Sequence, residues 1–159
     1  MDDSQIPRNQ NQSLDGLSHK WPILFAVAAG MFLTVGEQTA IVIALPAIAE
    51  DFSVNIPTVQ WITLGYVLST AAMFMPVGRF SDIFGRPKIY ILSIFVFIIG
   101  SGIGALAPTY WILVGSKIIQ GMATAGVQAN AMAIITDAFP RTERGRAIGL
   151  YTTTVGIGA

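Results

Sequence analysis

The sequence predicts an all-α polytopic membrane chain with four complete transmembrane spans and the start of a fifth, on three observations. Hydrophobic residues fill 53% of the 159 positions and charged residues only 11%, whereas soluble domains carry about a quarter charged residues. The mean hydropathy is accordingly +0.62. The apolar residues are gathered into runs of about 19 or more, each long enough, at about 1.5 Å per helical residue, to cross a hydrocarbon layer about 30 Å thick. Outside those runs, Lys and Arg occur only between alternate ones.

Residues 1–20 are rich in Gln, Asn, Ser and Asp. They hold too little apolar surface to offset the entropy of ordering, and are expected to form a disordered tail. The first span covers residues 22–45; it is too long for a signal-peptide core and ends in no small-residue cleavage site. Glu50 and Asp51 mark a polar turn, after which Asn55 and Pro57 suit the cap and first turn of a second span, 59–77. A charged segment, 78–88, is expected to be a loop, since Arg79, Asp82, Arg86 and Lys88 cannot lie in hydrocarbon. The third span, 89–107, places Gly100 and Gly104 four apart, a spacing that lets helices approach closely. Pro108, Thr109 and Tyr110 allow a tight turn into a fourth span, from Trp111 to about Phe139. Beyond Arg141, Glu143, Arg144 and Arg146, an apolar run from Ala147 starts a fifth span that stops at Ala159. Residues 21–159 are therefore expected to be amino-terminal transmembrane helices of a longer protein.

The basic residues set an orientation. Arg8 and Lys20 precede span one, Arg79, Arg86 and Lys88 follow span two, and Arg141, Arg144 and Arg146 follow span four. The opposite loops contain no Lys or Arg, so the amino terminus is expected on the cytoplasmic side, in a multi-pass protein of the plasma membrane. Nine basic and nine acidic residues cancel, leaving no charge argument for nucleic acid. With no cysteine and a single histidine, His19, the chain offers no disulfide and no metal cluster. No nucleophile or paired acids gather at one membrane face, so an enzyme is not expected.

Two ionisable residues fall within spans, Glu37 in the first and Lys117 in the fourth, where each ion costs about 2.5–3.5 kcal/mol. Span one rises from the basic side and span four descends towards it. Glu37 therefore lies roughly 12 Å below the outer end of its span and Lys117 roughly 9 Å below its own, nearly the same depth. The two can pair, which offsets the desolvation of each. The pair can lock two helices together, or, if a substrate or a conformational change separates it, Glu37 can carry a proton. Gln120, Gly121, Thr124 and Gln128 follow Lys117 at offsets of 3, 4, 7 and 11, a polar and small stripe on the same helical face. Thr34 and Gln38 make a weaker stripe near Glu37. These six residues are the candidate lining of a substrate cavity.

The charged segment Gly78-Arg79-Phe80-Ser81-Asp82-Ile83-Phe84-Gly85-Arg86-Pro87-Lys88 resembles the cytoplasmic signature between helices 2 and 3 of the major facilitator superfamily. Pro87 stands where a second basic residue is common. The stretch from Glu37 to Pro46 looks like the span-one motif of the fourteen-helix drug:proton antiporters, with Glu37 where Asp is usual. Leu113, Lys117, Gln120 and Gly121 resemble the span-four motif, in which a basic residue, usually Arg, is implicated in proton coupling. Residues 144–149 look like the entry to span five, and 156–159 like the opening of the glycine-rich antiporter motif. The resemblance implies a facilitator fold and a secondary transporter that expels drugs or other amphipathic compounds in exchange for protons. Its partners would be the lipid bilayer, a small-molecule substrate, protons and carboxy-terminal helices absent from this sequence. A proton gradient would supply the energy, without a cofactor. It also implies a gating role for Gly78, Arg79, Asp82, Gly85, Arg86 and Lys88: Asp82 would meet a helix end of the other half while the basic residues form cytoplasmic ion pairs, with Gly78 and Gly85 permitting a tight reversal. A carrier of sugars, organic anions or nucleobases, or a non-transporting sensor or scaffold, would share the fold.

Overall fold

The computed structural model describes residues 9–158, all of whose regular structure is helical: α1 Asn9–Asp51, α2 Ile56–Val59, α3 Trp61–Phe84, α4 Arg86–Ala105, α5 Tyr110–Ala138 and α6 Arg144–Gly158. Among the described residues, four spans are long and apolar enough to cross a membrane: residues 20–51 of α1, α2 and α3 together, α4, and α5.

Helix α1 starts inside the segment expected to lack structure, at Asn9; the tail expected over residues 1–8 lies outside the described residues. At 43 residues the helix is about 64 Å long, twice the depth of a hydrocarbon layer. Elongating an existing helix needs no new nucleus, so a polar segment joined to a membrane helix can extend it. At the other end, Ser53 takes a left-handed conformation (φ 51°) and stops the helix. Asn55 then caps α2, its side-chain oxygen accepting from the Thr58 amide at 2.8 Å, with Pro57 in the first turn. Backbone bonds from Gln60 to Ile56 and from Leu64 to Gln60 carry the path on into α3.

The expected loop over 78–88 is corrected. Helix α3 runs on to Phe84 and α4 begins at Arg86, leaving Gly85 alone as the hinge. Gly85 has φ +99°, a region where a Cβ is strained and glycine is not. Charges excluded from hydrocarbon need water, but they do not need the helix to end. Arg79 and Asp82 therefore ride on an extension of α3, and Arg86 and Lys88 on the first turn of α4. Gly78 is within α3 and does not shape the reversal; a Cβ there would meet nothing within 4 Å.

Helix α5 is the centre of the bundle. Its most apolar window is 61% buried, against 11% for the spans of α1 and of α2 with α3. Helices α3 and α4 pack along it, and α6 packs chiefly on α1. Bilayer lipid is as apolar as a leucine side chain, so helices associate by close backbone approach at small residues rather than by apolar burial. Gly121, Ala123, Ala125 and Gly126 make that approach possible on α5. A Cβ at Gly121 would collide with the Tyr66 carbonyl oxygen of α3, and one at Gly100 of α4 would lie 2.7 Å from Cγ of Gln120. The outward faces keep large apolar side chains such as Phe25, Ile43, Phe95 and Ile99 exposed, which suits lipid contact. Two buried clusters result: one of Leu24, Val27, Tyr90, Val127 and Ile135 around α1, α4 and α5, the other of Val59, Ile62, Tyr110 and Leu113.

Gly121→Ala is expected to force α3 from α5 and cost about 1–3 kcal/mol by overpacking. Gly115→Ala, where a Cβ meets nothing within 4 Å, is expected to be neutral or slightly stabilising. Denaturant unfolding in detergent micelles measures both; equal effects would contradict the proposed contact.

Candidate functional site

The two intramembrane charges meet. Helices α1 and α5 bring Lys117 Nζ to 2.6 Å from Glu37 Oε1, and the Gln120 side-chain amide, one turn on from Lys117, donates to the same oxygen at 2.7 Å. Lys117 is buried and the Glu37 side chain is 20% exposed. A pair so desolvated needs good geometry and extra hydrogen bonds to balance the loss of hydration, and Gln120 supplies one. The side-chain amide oxygen of Gln120, by contrast, is buried with no hydrogen-bond partner among the described residues. An orphaned acceptor of this kind costs about 1–3 kcal/mol, which is carried here to hold the amide nitrogen on Glu37.

The six expected cavity residues divide. Gln38 and Gln128 line one depression of about 290 Å³ together with Tyr66, Thr70 and Phe74. Glu37, the neighbour of Gln38, opens instead to a different groove of about 720 Å³ beside Phe32, Phe97 and Ser101. Gln120 belongs to the ion pair. The other three are packed. Thr34 is buried and donates to the Met31 carbonyl of its own helix at 2.9 Å. Gly121 faces Tyr66, and its carbonyl accepts from Thr70 at 2.9 Å. The Thr124 hydroxyl is fully buried 2.8 Å from that of Tyr66. Their placement on a lining is therefore corrected: the small residues let α3 come so close that the stripe closes over them.

Tyr66 and Thr70 were not singled out from the sequence. Lying four apart on α3, they join α5 through Thr124 and Gly121 and border the Gln38 and Gln128 depression. Their polar tips at helical spacing within an apolar run were the available signal.

At the basic side, Arg86 reaches two carboxylates, Asp82 and Asp137, each at 3.2 Å. Asp137, in the last turn of α5, was also passed over. All three side chains are at least 40% exposed, so each pair is worth at most about 1 kcal/mol on its own. Arg79 and Lys88 are exposed and have no carboxylate partner among the described residues. Among the described residues no three His, Asp or Glu side chains gather in a group that could hold a metal ion.

Comparison with known proteins follows the same lines. The sequence profile of the Major Facilitator Superfamily matches residues 27–159. The riboflavin transporter RibZ of Clostridioides difficile (strain 630) is 32% identical over 142 residues, 89% of this chain and 31% of RibZ. The tetracenomycin C resistance and export protein of Streptomyces glaucescens is 32% identical over 136 residues, 86% of this chain and 25% of that protein. Among solved structures, a bacterial homologue of the human lysosomal transporter Spinster, inward-facing and unoccupied, superposes with a TM-score of 0.79 at 26% identity, covering 88% of this chain and 29% of that one. The chain spans about a quarter to a third of the length of the curated relatives it matches.

Lys117→Met is expected to cost about 3–5 kcal/mol, because it leaves the part-buried Glu37 without its partner. The double variant Glu37→Gln with Lys117→Met is expected to recover most of that loss. A double-mutant cycle by denaturant unfolding reads the coupling; strictly additive effects would show that the contact carries none.

Proposed function

The chain belongs to the Major Facilitator Superfamily, and from that membership we propose that it supplies the first helices of a proton-coupled exporter of amphipathic or cationic compounds. Members of this superfamily are integral membrane transporters, not enzymes, and need no cofactor. The observation that carries the finer reading is the carboxylate of Glu37, sunk in a membrane helix and held on one oxygen by Lys117 and Gln120. Protonation of Glu37 neutralises it and removes its attraction for Lys117. Loss of the proton restores the pair. A cationic substrate favours the ionised carboxylate and so expels the proton, and each ligand weakens the hold of the other.

Gln38, Gln128, Tyr66 and Thr70 border the substrate side. Their depression, about 290 Å³, sits at the lower end of small-molecule sites, about 300–1,000 Å³, which suits one wall of a larger cavity. Such cavities form between repeats near the bilayer midplane, so the remaining walls come from carboxy-terminal helices of the same protein. In this reading Asp82, Arg86 and Asp137 form the gate on the cytoplasmic side, flanked by Arg79 and Lys88, with Gly85 as its hinge and Gly78 left open for a helix of the other half. The amino terminus is then cytoplasmic and the membrane is the plasma membrane. The resistance and export protein among the relatives supports efflux.

A second reading has its own support. RibZ, named as a riboflavin transporter, matches this chain at the same 32% identity, so a planar heteroaromatic solute is the competing substrate class.

Inverted membrane vesicles carrying the full-length transporter separate the two. An imposed proton gradient is expected to drive uptake of a lipophilic cation, and Glu37→Gln to reduce it to the level of empty vesicles while inserting normally. Gradient-driven uptake undiminished in Glu37→Gln would overturn the role given to Glu37. Movement of riboflavin without the cation would move the heteroaromatic reading ahead.

A further inference from the structure

The basic end of the α1–α6 seam holds a second charged cluster that the transport reading does not use. Lys20 is 8% exposed, and its ammonium lies 2.5 Å from a carboxylate oxygen of Glu143, whose side chain is 44% exposed. An ammonium has three donors. Among the described residues only Glu143 accepts from this one, and the remaining contact is the Phe139 ring, 5.9 Å from Nζ to centroid. Arg146, in the first turn of α6, is exposed and lies over the Trp21 ring at 5.7 Å, with no carboxylate partner among the described residues. Lys20, Trp21, Phe139, Glu143, Arg146 and Ala147 enclose a cavity of about 200 Å³. Two cations and one anion thus surround a space that holds several waters but falls below the roughly 300 Å³ of sites for drug-sized ligands.

We propose that this cavity binds the phosphate of an anionic phospholipid headgroup, seated between Lys20 and Arg146. Depth favours that source. Lys20 immediately precedes the apolar run of α1, and Trp21 beside it is of the type that stands at headgroup level. A phosphate there meets the spare donors of a buried ammonium and a guanidinium suited to paired phosphate contacts. Basic pockets between transmembrane helices are a general mode of anionic-lipid recognition. Glu143 competes with the phosphate for Lys20, and its exposure lets it swing aside. The bound lipid then bridges α1 and α6 in place of the ion pair.

Native mass spectrometry of the protein in detergent, titrated separately with phosphatidylglycerol, phosphatidylcholine and inorganic phosphate, tests this. Saturable binding of phosphatidylglycerol, tighter than that of phosphatidylcholine and unaffected by excess inorganic phosphate, is expected. Arg146→Gln, which breaks no ion pair of the described residues, is expected to weaken it about fivefold, the effect of one basic residue at an anionic surface. Glu143→Gln is expected to strengthen it by removing the competing carboxylate. Equal binding of the two lipids, or unchanged phosphatidylglycerol binding in Arg146→Gln, would overturn the proposal. Displacement by inorganic phosphate at comparable concentration would also overturn it, by making the cavity a free-phosphate site.

Discussion

An ion inside hydrocarbon must be answered by another, and the meeting of Lys117 with Glu37 is where this chain satisfies that demand. Lys117 lies on α5, the most enclosed helix, which α3 and α4 flank and α1 crosses. The pair thereby fixes the depth of α1 against α5, and through Gln120 and the close approach at Gly100 it is tied to α4 as well. Parting the two leaves each desolvated without its partner, so a motion that separates them is eased by a proton, a substrate or water in the vacant place.

The bundle around the pair is assembled by shape more than by apolar burial. Small residues on α5 admit the Tyr66 backbone and Ser93 so closely that hydroxyls and carbonyls of adjacent helices meet, as in the contacts of Tyr66 with Thr124 and of Thr70 with Gly121. The Gln120 side-chain oxygen has no hydrogen-bond partner among the described residues. Polar groups are thus concentrated on one seam, while the lipid-facing surfaces of α1 and α4 stay apolar. The basic end adds a second tie from α1, Lys20 with Glu143, some 17 residues and about 25 Å along the helix from Glu37.

Much of this was legible in the sequence because hydropathy and length act locally. The limits of α4 and α5, 86–105 and 110–138, lie within three residues of those expected, since apolar runs and the Pro108 turn fix them. The meeting of Glu37 and Lys117 followed from their equal depth on antiparallel helices. Helix ends in water were less legible. Nothing in a polar run says whether the helix stops, so α1 began early, and the segment 78–88 turned out to be two helices hinged at Gly85. The stripe of Gly121 and Thr124 was correctly one face, but its periodicity cannot tell whether that face borders a cavity or a neighbouring helix; Tyr66 decided it. Asp137 and Glu143 depend on which helix ends converge, a property of tertiary packing that neither residue announces alone.

The role of Glu37 turns on whether its proton answers to substrate. Proton release on addition of a lipophilic cation, followed with a pH-indicating dye in weakly buffered detergent solution of the full-length transporter, measures that without any need for transport. Release by the unmodified protein, absent in a Glu37→Gln variant that still binds the cation, is expected. Equal release from both proteins would contradict it, and would leave the ion pair with Lys117 as a lock between two helices.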